Sequence, residues 1–191
     1  MRADAQRKRQ LIIDAASDTF RTVPDASITL EGIAKGAGVG IATLYRHFPT
    51  RRDLHIACAF DLLDSLEAGL NESLATFEED PEHHWEELIW RMVEQGTGML
   101  VAALAQQRSG DISPLLLTKL ERVIEQFQLL VRKASHHGLV DPNLTAREIA
   151  AELIVITRPQ TRTINELFPD VRNRLVQHLL TAWKRPRTAR P

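Results

Sequence analysis

A single cysteine, Cys58, stands in a chain of 191 residues. That excludes an intramolecular disulfide and any multi-cysteine zinc site, and Cys58 is expected to be ordinary core. Aromatic residues make up only 5% of the chain, and no run of alternating β-branched residues occurs, so there is little from which to build a sheet. No apolar stretch reaches membrane-spanning length. The N-terminal MRADAQRKRQ is basic but leads into no apolar run with a small-residue cleavage site, so no membrane and a cytoplasmic location are expected. There is no GxSxG, no HExxH and no glycine-rich phosphate loop behind a strand, so neither an enzyme nor a cofactor is expected. Net charge is −1, which by itself argues nothing about nucleic acid.

What is present is helical. Hydrophobic residues make up 43% of the chain, enough for a core, and leucine, alanine, glutamate and arginine are frequent, which predicts an all-α protein. The most informative stretch runs from Thr29 to Leu54, TLEGIAKGAGVGIATLYRHFPTRRDL. Leu30, Ile33, Ala34 and Ala37 recur at helical spacing behind Thr29 as N-cap, and Gly38 follows where a positive φ is commonly needed to turn the chain. Val39 is placed to plug the corner. From Gly40 a second short helix, Ile41 to Phe48, sets Leu44 and Phe48 on one side at i, i+4 before Pro49 stops it. Thr43, Tyr45, Arg46 and His47 are left facing outward, hydroxyls, an imidazole and a guanidinium able to bond phosphates or base edges. Two short helices joined by such a turn read as a DNA-recognition unit.

These residues resemble the helix-turn-helix of the TetR family of transcriptional regulators. The resemblance is carried by Ala37-Gly38-Val39 at the corner, Thr43-Leu44-Tyr45 in the second motif helix, His47-Phe48, the basic Arg51 and Leu54, and it covers about residues 7–54. It implies a DNA-binding protein in which Thr43, Tyr45 and His47 approach backbone or bases and Arg51 meets phosphate. By chemistry, Tyr45 and His47 suit single phosphates, while Arg46 can fork onto guanine O6 and N7. Gly40, Ile41 and Ala42 open the helix, where backbone N–H groups attract phosphate and small apolar groups can touch a thymine methyl. Many relatives carry a hydroxyl where this chain has Gly40, so one side-chain cap and phosphate contact is missing. With Thr29 at the preceding cap, the expected DNA-binding set is Thr29, Gly40, Ile41, Ala42, Thr43, Tyr45, Arg46, His47 and Arg51.

Charge is distributed to match. Residues 1–53 carry nine Lys or Arg against six Asp or Glu, a basic end on an acidic remainder, as a DNA-binding head on a separate body requires. For Arg2 to Arg9 alone, a solubilising terminus is an equal reading. Before the motif, Leu11, Ile12, Ala15, Ala16, Thr19 and Phe20 form a stripe that predicts a helix from about Asp4 to Thr22. The expected organisation is therefore a three-helix DNA-binding head over residues 1–50, a helical effector-binding and dimerisation domain over 51–185, and a disordered tail over 186–191.

In the body, a long helix is expected from Arg51 to about Phe77, capped by Thr50 with Asp53, linking head and body through a buried face that includes Leu54, Cys58, Leu62, Leu66 and Leu70. A fifth helix is expected from Pro81 to about Gln106, interrupted at Gly96 and Gly98. A sixth should run from about Leu116 and close at Gly138, and the last two from about Thr145 to Thr157, with Thr145 and Glu148 as a capping box, and from about Pro169 to Lys184. Phe60, Trp85, Trp90, Met92, Met99 and Phe127 are the candidates to line an apolar effector cavity, with plain core as the alternative for each. His83-His84 and His136-His137 raise the question of metal. Adjacent histidines point about 100° apart on a helix, so no metal is expected.

The resemblance implies that the last two helices pair with those of a second subunit. Ile149, Leu153, Ile156, Val171, Leu175, Leu179 and Trp183 supply apolar surface for this, or for a hairpin packed on its own domain. The function expected is a homodimeric repressor of the TetR type, bound to a palindromic double-stranded operator and released by a small-molecule effector. The rival class is a small-molecule-binding or scaffold protein whose helix-turn-helix is only structural.

Overall fold

The computed structural model describes residues 2–24, 27–98 and 113–184, and these contain nine helices and no strand. They are α1 (Arg2–Thr22), α2 (Leu30–Gly36), α3 (Ile41–His47), α4 (Arg51–Thr76), α5 (Pro81–Gln95), α6 (Pro114–His136), α7 (Ala146–Ile156), α8 (Arg162–Leu167) and α9 (Val171–Trp183). Met99 and the tail 186–191 lie outside the described residues. None of the described helices is long and apolar enough to cross a membrane.

Local chemistry sets most boundaries. Thr50 accepts from Asp53 N–H while the Asp53 carboxylate accepts from Thr50 N–H at 3.0 Å, a reciprocal cap that satisfies two donors at the start of α4. Thr145 and Glu148 repeat the device at α7. Asp80 caps α5 through His83 N–H at 3.2 Å, with Pro81 in the first position, where its missing N–H costs nothing.

Two expectations change. The fifth helix does not run on to Gln106: it ends at Gln95, because Gly96 takes a left-handed conformation at φ 71 and its N–H closes onto Val93 O. The final helix begins at Val171, behind Asp170 and close to the start expected at about Pro169. Between the last two expected helices lies the short α8, whose six residues are too few to show a period in sequence.

One continuous hydrophobic core runs through the described residues. Ile12, Ile13, Ala16 and Phe20 of α1 close over Ile33, Ala34, Leu44 and Phe48, and α4 enters this cluster with Leu54 and Cys58. Further along, Leu62, Leu63, Leu66 and Leu70 pass into the body, where α4 lies against α5 and α6. Trp85 stacks on Phe127 with centroids 6.2 Å apart and meets Trp183 edge-on at 6.3 Å, so one aromatic group pins α5, α6 and α9.

Polar contacts line the seam between α4 and α6. Lys119 reaches Asp64 at 2.5 Å and Glu67 at 2.9 Å, Gln126 donates to Asn71 at 3.2 Å, and Lys133 and His137 both meet Glu78. Asp64, then Glu67, hold the Lys119 ammonium above its ordinary value. Lys133 and then His137 hold the Glu78 carboxyl below its own.

Cys58 is 2% exposed, and burial pushes its thiol from 9.0 to about 12. Only the thiolate is a good nucleophile. A thiol reagent at pH 8 is therefore expected to leave the folded chain unmodified and to titrate one thiol after denaturation. Because the folded value is raised, the neutral thiol's contribution to stability is whole below pH 9.0 and is lost as pH climbs toward about 12. Rapid native labelling would contradict this.

Candidate nucleic-acid interface

The candidate interface is built on α2, the turn and α3. Thr29 is extended at φ −115, and its Oγ accepts from Gly32 N–H at 3.1 Å, which starts α2. Ile33 and Ala34 go into the core. Ala37 ends the helix, Gly38 reverses the chain at φ 67, and Val39 N–H returns to Ala34 O at 3.0 Å while its half-buried side chain packs against the core. Gly36 faces α1, where a methyl group on it would meet Ala15 Cβ at an ordinary 3.8 Å, so neither this glycine nor Gly32 is demanded by a close helix approach.

Gly40 then stands at the N-cap of α3 with no side-chain bond to offer. The helix survives because Leu44 and Phe48 are buried at i, i+4 and Ile41 packs against the same core. Burial on one side dictates what is presented on the other. Ala42, Tyr45 and Arg46 form a single exposed face at i, i+3, i+4, with Tyr45 46% exposed, while Thr43 and His47 sit half-buried along its flank. A buried tyrosine is thus excluded for Tyr45. Arg46 spends its Nε on Ala42 O at 3.3 Å, a bond that lays the stem along its own helix. Of its five N–H donors, those on the two terminal nitrogens form the fork that suits guanine or phosphate.

Arg51 is arranged differently from the rest of the expected set. Its Nη1 donates to Ile28 O at 2.8 Å and its Nε to His55 Nε2 at 3.4 Å, so it ties the start of α4 to the segment that precedes α2. His55 is itself buried and stacks on Phe20 with centroids 4.0 Å apart. Sequence reasoning did not find Arg9, whose guanidinium lies 5.2 Å over the Phe48 ring at the end of α3. The signal was available, because Arg9 stands one turn ahead of Ile13, Ala16 and Phe20 on the stripe that packs on the motif helices.

In the body, an apolar cavity of about 40 Å³ is lined by Leu63, Leu66, Met92, Thr97, Leu120, Val123, Ile124, Phe127, Ala150 and Ile154. Met92 and Phe127 of the expected set are on this wall; Phe60, Trp85 and Trp90 are not, and Trp85 is committed to its aromatic partners. Thr97 was not foreseen, since a hydroxyl seldom marks an apolar wall; it is bonded to Thr157 at 3.2 Å. His136 and His137 separate, His137 bonding Glu78 at 3.0 Å while His136 opens onto another cleft, whereas His83 and His84 stay together with ring centroids 5.7 Å apart and both approach Glu87, at 4.0 and 3.8 Å. Among the described residues no three His, Cys, Asp or Glu gather as metal ligands would.

Residues 12–58 match a family model described as bacterial regulatory proteins, tetR family. The nucleoid occlusion factor SlmA of Marinobacter nauticus is 25% identical over 150 residues, which are 75% of this chain and 74% of that one. The structure superposes on the TetR transcriptional regulator SCO0520 of Streptomyces coelicolor with a TM-score of 0.60 at 25% identity, covering 94% of this chain and 99% of that one. It also superposes on the TetR-like regulator LfrR of Mycobacterium smegmatis, solved in complex with proflavine, with a TM-score of 0.65 at 23% identity over 97% and 98%.

The turn supplies a direct test of this local geometry. A methyl group on Gly38 would meet nothing within 4 Å, so Gly38→Ala isolates the cost of the positive φ. It is expected to lower stability by about 1 kcal/mol, read as a drop in melting temperature. Gly40→Ser, at φ −71 and in open space, is expected to change stability by only a few tenths of that. Equal effects would show that φ is not the constraint.

Proposed function

The chain belongs to the TetR family of bacterial DNA-binding transcriptional regulators, and from that premise we propose that it is a cytoplasmic homodimeric repressor released from a palindromic operator by a small-molecule effector. The observation that carries the reading is the single exposed face of Ala42, Tyr45 and Arg46 on a short helix whose opposite side is sealed into the core. A helix that presents a hydroxyl and a guanidinium while its aliphatic residues are buried is built to enter a major groove. Arg46 reads a base; Tyr45, with Thr43, His47 and the N–H groups at Gly40 to Ala42, holds phosphate. Thr29 contributes through the α2 cap. Arg51, whose Nη1 donates to Ile28 O, meets phosphate from the first turn of α4.

Dimerisation through α7 and α9 is supported by apolar side chains left in solvent at this end: Val155 is 63% exposed and Leu175 43%, and Ile164 of α8 lines the same cleft. A two-fold pair of heads reads two half-sites of an operator. The effector is placed between the helices of the body, where Met92 and Phe127 wall an apolar cavity whose roughly 40 Å³ has to widen to admit a small molecule. Effector binding shifts the dimer to a spacing of recognition helices that no longer fits the operator.

The test of the reading is a mobility shift on the DNA flanking the chain's own gene, titrated with salt and with unrelated competitor. Preference for one imperfect palindrome over competitor is expected; its absence at moderate salt would defeat the regulator reading in favour of a body with a merely structural head. Tyr45→Phe is expected to weaken binding by a similar factor on all sequences, while Arg46→Ala relaxes preference at particular bases by about 1–3 kcal/mol. Uniform loss from Arg46→Ala would make it a phosphate contact. Leu175→Glu is expected to convert the dimer to monomer in sedimentation and to abolish tight operator binding; an unaltered sedimentation coefficient would move the interface elsewhere.

A further inference from the structure

The cations of α6 divide between two sides of the helix. Lys119 meets Asp64 and Glu67, Arg122 meets Glu67, and Lys133 and His137 meet Glu78, so the side turned toward α4 is answered by carboxylates along its length. At about 100° per residue, Gln128, Arg132, Ser135 and His136 fall together on the opposite side. There Arg132 and His136 are exposed, and among the described residues neither has a hydrogen bond or an ion pair.

These four residues, with Val131, Pro142 and Leu144, line a cleft of about 240 Å³ between the end of α6 and the loop that leads to α7, and no acidic side chain is on its wall. Val131 and Leu144 are buried and give it an apolar floor. Gln128 Oε1 accepts from Ala146 N–H at 2.8 Å, which ties the first turn of α7 to the wall and leaves the Gln128 Nε2 to donate elsewhere. Asp141, in the same loop, is buried and accepts from Asn143 N–H at 2.9 Å and from Asn143 Nδ2 at 3.0 Å. The place of the cleft excludes operator DNA as its occupant. α4 begins in the head at Leu54 and Cys58, and Glu78, which holds Lys133 and His137, stands past its other end, about 39 Å of helix away. The cleft is also separate from the apolar cavity, to which α6 contributes Leu120, Val123, Ile124 and Phe127.

We propose that this cleft is a binding site for a small organic anion, a carboxylate or phosphate monoester on a short apolar stem, with Arg132 as its anchor. The Arg132 guanidinium forks onto two anion oxygens, and His136 and the Ser135 hydroxyl each donate one further bond. The stem lies on Val131, Pro142 and Leu144. An anion here replaces the counter-charge that Asp64, Glu67 and Glu78 supply to the cations on the other side of the same helix.

The full chain is titrated with phenyl phosphate, benzoate, inorganic phosphate and, as a neutral control, benzyl alcohol. The Arg132 Nε–H and His136 ring resonances are followed by NMR at constant pH and ionic strength. Saturable shifts at both residues are expected with the aryl anions and none with benzyl alcohol, and the tighter of the two aryl anions assigns the anionic group. The better aryl anion is expected to bind about fivefold or more tightly than inorganic phosphate, because its ring adds buried apolar area. Arg132→Gln is expected to weaken binding by about tenfold or more without changing the melting temperature, since it removes a charge-assisted fork from an exposed side chain. Lys133→Gln removes the same charge from the paired side and is expected to change affinity by less than about twofold. Shifts that do not saturate, or that are matched by benzyl alcohol, would overturn the site. So would affinity undiminished by Arg132→Gln, or an equal loss from Lys133→Gln, which would mean that only net charge is felt. Inorganic phosphate binding as tightly as either aryl anion would overturn the apolar stem.

Discussion

The structure depends on α4 remaining one unbroken helix. Its 26 residues span about 39 Å, from a first turn locked by Thr50 and Asp53 to a last turn beside Glu78. Leu54 and Cys58 are core residues of the head, and Leu62, Leu66 and Leu70 are core residues of the body. No loop lies between the two sets to absorb a rotation. The seam against α6 reinforces this, because Lys119 and Gln126 hold α4 along its length and Lys133 and His137 hold Glu78 just past its end. The exposed pair of Lys133 with Glu78 adds little by itself, whereas Lys119 is largely covered where it meets Asp64 and Glu67.

The head follows from that fixed platform. α3 is only seven residues long and begins on a glycine without a side-chain cap, so it would not persist alone. It is held because Leu44 and Phe48 are sealed under α1 and α4, with Arg9 laid over the Phe48 ring. The same burial determines that Ala42, Tyr45 and Arg46 point outward together. Arg51 gives this arrangement a second tie, through Ile28 O and His55, between the start of α4 and the approach to α2. A side chain whose place in the family motif implies phosphate is here also a brace of the head.

The body is organised around contacts that join helices distant in sequence. Trp85 brings α5, α6 and α9 together, and Asp141 N–H to Trp183 O at 2.6 Å fastens the end of α9 back onto the loop ahead of α7. The turn at Gly96 to Gly98 stands where this assembly meets the head. Its two glycines differ in what they require: Gly96 needs a left-handed backbone, and Gly98 needs space against the backbone of α7.

The sequence by itself determined the helical class, the caps at Thr29, Thr50 and Thr145, the reversal at Gly38 and the extent of α3. These are local events, decided by the residues that take part in them and by the periodicity of one buried face. It also carried the motif from which DNA binding was inferred. The short α8 and the stop at Gly96 were harder to read, because six residues show no period and a glycine inside an apolar stripe can be either tolerated or a terminus. Only the tertiary structure decided that Arg51 braces the head, that Trp85 packs against aromatics rather than lining the cavity, that Thr97 is on the cavity wall and that Arg21 caps α5. Each of these depends on residues from different helices meeting in space, and nothing in the spacing of one helix states which face of another it will find.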